Sequence, residues 1–149
     1  MSLVTASTQI AASPQRVWET VMDPEQLGEW VTIHRRLLHA DSPPAKVGYK
    51  MDQQVHLRGV SLRVHWTLVE CVPAQRAVWE GRGPARSRAH TEYLLRPEGN
   101  GTRFDYRNEF RAPLGSLGAI VSRALARGMP EREAKRTLTR LRAYLEESG

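Results

Sequence analysis

Residues 49–72 read YKMDQQVHLRGVSLRVHWTLVECV, and the alternation of apolar and polar side chains in this stretch decides the fold. The alternation runs over residues 51–57 and again over residues 62–68, with a period of two that is typical of strands buried on one face. We expect a tight turn at Gly59-Val60 to join the two strands. This turn predicts four pairs on the buried face: Leu57 with Leu62, Val55 with Val64, Gln53 with Trp66, and Met51 with Leu68.

Two further hairpins continue the same face along the chain. Pro73-Ala74 predicts a turn that brings Trp79 onto it. The run Glu98-Gly99-Asn100-Gly101 is a strong hairpin signal, because glycine and asparagine accept the positive φ that tight turns need. It predicts the pairs Leu95 with Phe104, Tyr93 with Tyr106, Thr91 with Asn108, and Ala89 with Phe110. The opposite face is then polar and is expected in solvent: Arg86, Arg88, His90, Glu92, Arg103, Asp105, Arg107 and Glu109.

The segments before this sheet predict one strand, two short helices and a second strand. Residues 4–11 alternate loosely and suit a first strand. Ser13-Pro14 and Asp23-Pro24 each predict a helix start, because serine or aspartate caps free amides and proline suits the first turn. We expect the second helix to end near Gly28, and residues 31–40 to form the second strand.

The C-terminal part predicts a long helix. From Pro113 onward, apolar residues recur at helical spacing. They are Leu117, Val121, Ala124, Leu125, Gly128, Ala134, Leu138, Leu141 and Leu145. Because Pro130 lacks the amide hydrogen that a helix interior uses, we expect a kink or break at Gly128-Met129-Pro130.

The composition bounds the class of protein. With 149 residues, of which 40% are hydrophobic and 26% charged, the chain has the size and balance of one globular domain. No stretch approaches the roughly eighteen apolar residues of a membrane span, and the N-terminus shows no export signal. The lone Cys71 cannot form an internal disulfide, so we expect a cytoplasmic protein.

The net charge of +6 invites a nucleic-acid interpretation. Nearly all of this charge comes from arginine, since Lys46, Lys50 and Lys135 are the only lysines. Arginine in place of lysine across a whole chain is what a GC-rich genome produces without any selected partner. We therefore do not expect nucleic acid as the main partner.

Several of these motifs resemble a known family. The stretch IAASPQRVW at residues 10–18, Asp23-Pro24, Trp30, and the hairpin LRPEGNGTRF at residues 95–104 are similar to the START-like polyketide cyclase/dehydrase and lipid-transport family of the SRPBCC superfamily. The resemblance spans essentially the whole chain. It implies a single α+β domain over residues 1–149 with the helix-grip fold: a curved antiparallel sheet of six to seven strands, two short helices after strand 1, and a long C-terminal helix packed over the sheet. These motifs are structural, so they specify the fold strongly and the chemistry weakly.

The resemblance implies a deep apolar cavity between the sheet and the long helix. Apolar walls with a few hydrogen-bonding groups are typical of small-molecule sites. The candidate ligand-binding residues are Trp30, Met51, Gln53, Val55, Val64, Trp66, Leu68, Trp79, Thr91, Tyr93, Phe104, Tyr106, Asn108, Val121, Leu125 and Met129. For Tyr93 and Tyr106, the alternative is a role as core aromatics whose hydroxyls reach the rim.

Glu70 and Tyr106 are the candidates for catalysis. Glu70 shares the strand parity of Trp66, which would point its carboxylate inward and raise its pKa by desolvation. Alternatively, Glu70 lies at a strand end, or a bulge before Pro73 turns it outward. The histidines show no spacing of a metal site, and no phosphate loop or dinucleotide fingerprint is present, so neither metal nor cofactor is expected.

Three functions follow as hypotheses. The first is a carrier or sensor that binds a hydrophobic small molecule, such as a lipid or polyketide, without covalent chemistry. The second is an aromatase/cyclase-like enzyme that folds a poly-β-ketone chain and assists proton transfer. The third is an RNA- or ribosome-associated protein that uses the arginine-rich face of its last helix. The chain could act as a monomer or a homodimer.

Overall fold

The computed structural model of the protein describes residues 2–111 and 129–147. These residues form an antiparallel sheet of seven strands, two short helices near the N-terminus and one helix at the C-terminus. The strands are β1 (Ser2–Ile10), β2 (His34–Ala40), β3 (Lys50–Leu57), β4 (Val60–Val72), β5 (Arg76–Arg82), β6 (Arg88–Glu98) and β7 (Gly101–Arg111). The helices are α1 (Pro14–Val21), α2 (Leu27–Trp30) and α3 (Glu131–Glu147), with 3₁₀ turns at Pro24–Gln26 and Pro84–Arg86.

The strand order in the sheet is β1-β7-β6-β5-β4-β3-β2, with each neighbouring pair antiparallel. Strands β2 to β7 therefore follow one another as a meander, and β1 closes the far edge beside β7. The C-terminal helix α3 packs on β1 and on α2. This arrangement confirms the expected α+β class and helix-grip architecture.

The first hairpin has a register that differs from the expected one. The turn is Arg58-Gly59, with φ values of 51° and 82°, rather than Gly59-Val60. A two-residue turn of this type needs positive φ at both central residues, and glycine occupies the second position here. The observed pairs are Leu57 with Val60, Val55 with Leu62, Gln53 with Val64, and Met51 with Trp66. The predicted pairs were wrong by two residues, but the predicted face is right because side chains repeat every two residues.

The other two hairpins match their expected turns. In the β6–β7 hairpin, all four predicted pairs are present, including Tyr93 with Tyr106 and Thr91 with Asn108. In the β4–β5 hairpin, Leu68 pairs with Trp79, which is buried as expected. One residue of the predicted polar face is placed differently, since Arg86 belongs to a 3₁₀ turn with a φ of 65° and not to β6.

Both expected helix caps are present. The Ser13 hydroxyl accepts a hydrogen bond from the Arg16 amide at 3.2 Å, and the Asp23 carboxylate accepts one from the Glu25 amide at 3.0 Å. The second helix does not end near Gly28 but continues to Trp30. This extra half-turn buries the Trp30 indole completely, against the rings of Tyr93 and Phe104.

Helix α3 begins directly after Pro130, the residue that predicted a break. Its buried side chains follow the expected helical stripe: Ala134, Thr137, Leu138, Leu141 and Leu145. Thr137 adds a polar contact, because its hydroxyl accepts a hydrogen bond from the Thr32 amide at 3.1 Å. The expected first part of the long helix, with Val121 and Leu125, lies outside the described residues. Over the ranges that are described, no helix is long and apolar enough to cross a membrane.

Candidate ligand-binding cavity

An apolar cavity of about 90 Å³ lies on the inner face of the sheet. Since roughly 10–15 Å³ suffices for one water, this volume accommodates several waters or a small organic molecule. Strands β3 to β7, the first residue of α2, the segment that follows α2, the turn before β6, and Met129 contribute to the wall. The described lining residues are Leu27, Val31, Ile33, Met51, Gln53, Val55, Leu57, Leu62, Val64, Trp66, Trp79, Gly83, Pro84, Ser87, Arg88, Ala89, Thr91, Tyr93, Tyr106, Asn108, Phe110 and Met129.

On the β3–β4 side, the polar group of the wall is the amide of Gln53, which is only 5% exposed. Its Oε1 accepts a hydrogen bond from the Trp66 indole at 2.9 Å, and its Nε2 lies 2.9 Å from Nδ1 of His34. Burial lowers the pKa of His34. The amide that was expected to meet a ligand is thus already hydrogen-bonded on both of its ends.

The ring of Trp66 is positioned by a missing side chain on the neighbouring strand. Gly81 of β5 pairs directly with Trp66 of β4. A Cβ at Gly81 would lie 2.8 Å from Cε3 of the indole and 2.9 Å from Cγ1 of Val64. The bare backbone of Gly81 therefore makes room for both lining side chains next to β5.

A second polar cluster lies across β6 and β7. The Asn108 amide donates to the Thr91 hydroxyl at 2.9 Å, and the Tyr106 hydroxyl contacts the Met129 sulfur at 3.8 Å. Tyr93 lies beside Tyr106, with ring centroids 6.1 Å apart. Burial raises the pKa of Tyr93, with a further contribution from Tyr106. Burial also raises the pKa of Tyr106, which a hydrogen bond from Asn108 opposes only in part. Both phenols are therefore neutral hydrogen-bond donors at physiological pH.

Most of the candidate ligand-binding residues meet at this cavity. Eleven of them line it: Met51, Gln53, Val55, Val64, Trp66, Trp79, Thr91, Tyr93, Tyr106, Asn108 and Met129. Val121 and Leu125 lie outside the described residues. The remaining three, Trp30, Leu68 and Phe104, are fully buried but belong to the packed core rather than to the wall. The strand faces of Leu68 and Phe104 were predicted correctly, but all three residues lie where other side chains cover them.

Glu70 does not line the cavity: the inward placement was wrong, and the alternative, a bulge before Pro73 that turns it outward, is the one observed. A bulge between Leu68 and Glu70 shifts the register with β5, and the Glu70 side chain is 53% exposed. Its carboxylate accepts a hydrogen bond from Arg76 at 3.2 Å. The bulge reverses the face of every residue beyond it, so that Cys71 instead packs against the core.

The structure adds lining residues that the sequence did not assign to the site. Some lie on the predicted buried face and could have been included on that signal: Leu57, Leu62, Ala89 and Phe110. Arg88, the first residue of β6, was expected on the solvent face but also borders the cavity. Others lie outside the strands: Leu27, Val31, Ile33, Gly83, Pro84 and Ser87. Among the latter, Ser87 is 1% exposed, and its hydroxyl donates to the Pro84 carbonyl at 2.8 Å.

The titratable side chains of the described wall are few. Apart from the two tyrosines, only Arg88 ionises, and the described part of the wall contains no carboxylate, histidine, cysteine or lysine. Across residues 2–111 and 129–147, no group of three or more histidine, cysteine or acidic side chains is arranged to hold a metal ion. The described wall is thus suited to apolar contact and hydrogen bonding.

Comparison with known proteins agrees with this architecture. The family model described as polyketide cyclase / dehydrase and lipid transport matches residues 1–146. The chain belongs to this family. The description of the family fits a role in binding hydrophobic molecules. The apolar wall of this polyketide cyclase/dehydrase-type domain fits the same role.

Two similar proteins come from Mycobacterium tuberculosis (strain ATCC 25618 / H37Rv). The uncharacterized protein Rv1546 is 27% identical over 127 residues, covering 84% of this chain and 89% of its own. The toxin Rv0910 is 25% identical over 127 residues, covering 84% and 88%. The solved structure of DR_A0006 from Deinococcus radiodurans has a TM-score of 0.74 at 18% identity and covers 100% of both chains. At this identity, the structural likeness concerns the fold.

Proposed function

We propose that this polyketide cyclase/dehydrase-type domain binds an uncharged, largely apolar small molecule in the cavity, as a carrier or sensor. The observation that supports this most directly is the cavity of about 90 Å³ with a mainly aliphatic and aromatic wall. Burying an apolar molecule there releases roughly 25 cal/mol per Å² of surface removed from water. The polar groups of the wall are few, which is typical of sites that orient a ligand.

The composition of the wall favours binding over catalysis. Proton transfer in a cyclase or dehydrase needs a general base within hydrogen-bond reach of the substrate. The described wall has no carboxylate or histidine, and the acidic candidate Glu70 lies on the outside. The two tyrosines have raised pKa values, so they can donate a hydrogen bond but cannot accept a proton.

A pair of variants on β4 tests the proposal. Val64→Phe places a ring in the cavity, and we expect it to weaken binding of ethylbenzene at least about tenfold by filling the space. Arg63→Phe adds the same ring one residue away, on the opposite face, and should leave the affinity unchanged. Isothermal titration calorimetry with ethylbenzene measures both variants against the unmodified protein.

Native mass spectrometry of the purified protein adds an independent measurement. A co-purified apolar molecule that is present in the unmodified protein and in Arg63→Phe, but lost from Val64→Phe, would support the cavity as its site. Ethylbenzene binding of equal strength in all three proteins, or no binding in any, would contradict the proposal.

A further inference from the structure

Tyr93 and Tyr106 form a matched pair on the wall of the cavity. They are directly opposed on β6 and β7, and their rings are nearly parallel, with an interplanar angle of 28°. Each side chain is only 6% exposed, and both line the cavity. Two phenol groups are thus held side by side on an otherwise apolar surface.

The hydroxyls of this pair lack strong acceptors. Tyr106 donates to the Met129 sulfur at 3.8 Å, and a thioether is a weak acceptor. For Tyr93, none of the residues in the ranges 2–111 and 129–147 forms a hydrogen bond with the hydroxyl. The Tyr93 hydroxyl thus has no acceptor among the described residues and the Tyr106 hydroxyl only a weak one, so an oxygen atom supplied from the cavity would be a better partner.

The nearby side chains do not supply that oxygen. The Asn108 amide donates to the Thr91 hydroxyl at 2.9 Å and also hydrogen-bonds the Tyr106 hydroxyl as a donor, and the Ser87 hydroxyl donates to the Pro84 carbonyl. Because burial disfavours ionisation of both phenols, each keeps its hydroxyl hydrogen and stays able to donate. The tyrosine pair therefore presents two neutral donors to the cavity.

We propose that Tyr93 and Tyr106 act together as a donor pair for the carbonyl oxygen of the ligand, so that the protein selects apolar ketones or aldehydes over hydrocarbons of the same shape. This inference rests on the proposed function, because it assigns a ligand class to the same cavity. A carbonyl oxygen only accepts and has two lone pairs, which matches two donors. A carboxylate would lose its hydration against apolar walls at high cost.

A matched pair of ligands isolates this contribution. Acetophenone and ethylbenzene have nearly the same shape, and only acetophenone carries a carbonyl oxygen. The quantity to measure is the ratio of their dissociation constants, by calorimetry, in the unmodified protein, Tyr93→Phe, Tyr106→Phe and the double variant. We expect the preference for acetophenone to fall several-fold in each single variant and roughly tenfold in the double variant.

The control is Tyr49→Phe, because Tyr49 is equally buried and packs on Trp79 but does not line the cavity. The Tyr49→Phe variant should keep the full preference for acetophenone over ethylbenzene. The single variants provide two independent tests if one of them does not fold, as judged by circular dichroism. If the preference for acetophenone persists in every folded variant of Tyr93 and Tyr106, the donor pair is overturned. Binding of ethylbenzene would in that case still support the proposed function. If neither acetophenone nor ethylbenzene binds, the donor pair and the proposed function are both overturned.

Discussion

At the scale of single residues, Gln53 has two neighbours that determine the direction of its amide. The Trp66 indole can only donate, so the Gln53 oxygen must face it, as the 2.9 Å contact shows. The Gln53 nitrogen then faces Nδ1 of His34 and donates to it. His34 must accept on Nδ1, which requires the neutral ring with its hydrogen on Nε2. The pKa of His34, lowered by burial, agrees with a neutral ring.

Gln53→Glu should favour the protonated ring of His34 over the neutral one. A carboxylate still accepts from Trp66 but cannot donate to His34, so His34 must carry a hydrogen on Nδ1, and the adjacent negative charge favours the protonated ring. We expect the pKa of His34 to move from below 6.5 to above it. An NMR titration of the His34 ring signals measures the change.

The control for this variant is Gln54→Glu, which adds the same charge at the next residue. Gln54 accepts a hydrogen bond from Arg36 at 3.1 Å. We expect the pKa of His34 to stay below 6.5 in this control. An equal change in both variants would mean that added negative charge alone, rather than the direction of the Gln53 amide, sets the protonation of His34.

At the scale of elements, charged side chains connect β5 and β6 on the outer face. His90 of β6 contacts Glu80 of β5 at 2.5 Å and Glu92 at 3.3 Å, and Arg76 bonds Glu92 at 3.1 Å. Burial by itself would lower the pKa of His90, but the hydrogen bonds and charges of Glu80 and Glu92 outweigh it and raise that pKa. Protonated His90 thus links the two strands.

His90→Gln should destabilise the protein in a pH-dependent way. Because the pKa of His90 is higher in the folded state, its contribution is fully present below about pH 6.5 and is lost as the pH rises through the folded value. We expect a loss of about 0.5–1 kcal/mol in the free energy of unfolding at pH 6 and a smaller loss at pH 9. Urea denaturation at the two pH values measures this difference.

His39→Gln serves as the control for the outer face. The His39 side chain is 67% exposed and lies 3.8 Å from Asp41, so its removal should change stability little at either pH. A larger loss for His90→Gln at pH 9 than at pH 6 would show that the protonated ring does not stabilise the β5–β6 pairing.

At the scale of the whole molecule, the cavity couples elements that are distant in the chain. Leu27 of α2, Met51 of β3, Tyr106 of β7 and Met129, which precedes α3, contribute to one wall. A ligand in this space adds apolar contacts to all of them at once. The ligand site is therefore built from side chains of elements that also hold the fold together. A bound ligand should for this reason stabilise the whole domain.

Ethylbenzene should raise the melting temperature of the protein in a concentration-dependent way. At a ligand concentration of about 100 times the dissociation constant, linkage predicts a gain of about 2.7 kcal/mol. For a domain of this size, this gain corresponds to roughly 5–10 °C. Differential scanning calorimetry measures the shift, and Val64→Phe should show little of it. An equal shift in both proteins would place ethylbenzene elsewhere.

Turn chemistry explains which parts of the sheet could be predicted. The run Glu98-Gly99-Asn100-Gly101 allows one tight turn, so the β6–β7 register could be counted outward from it. At Arg58-Gly59, a single glycine is compatible with either of two adjacent turns, which differ by two residues in register. Both give the same buried face, so the choice between them depends on packing. The bulge that turns Glu70 outward has no turn residue to mark it.

By itself, the sequence determined most of the strand faces, the helix caps and the family, because these depend on side-chain periodicity and on local backbone preferences. Only the tertiary structure decided which buried residues line a cavity and which fill the core. Trp30 and Trp79 are both tryptophans on buried faces, yet Trp30 packs against Tyr93 and Phe104 while Trp79 borders open space. Whether two apolar faces pack together or leave a gap depends on side chains from elements that are far apart in the chain. A local sequence pattern carries no information about the distance between those elements.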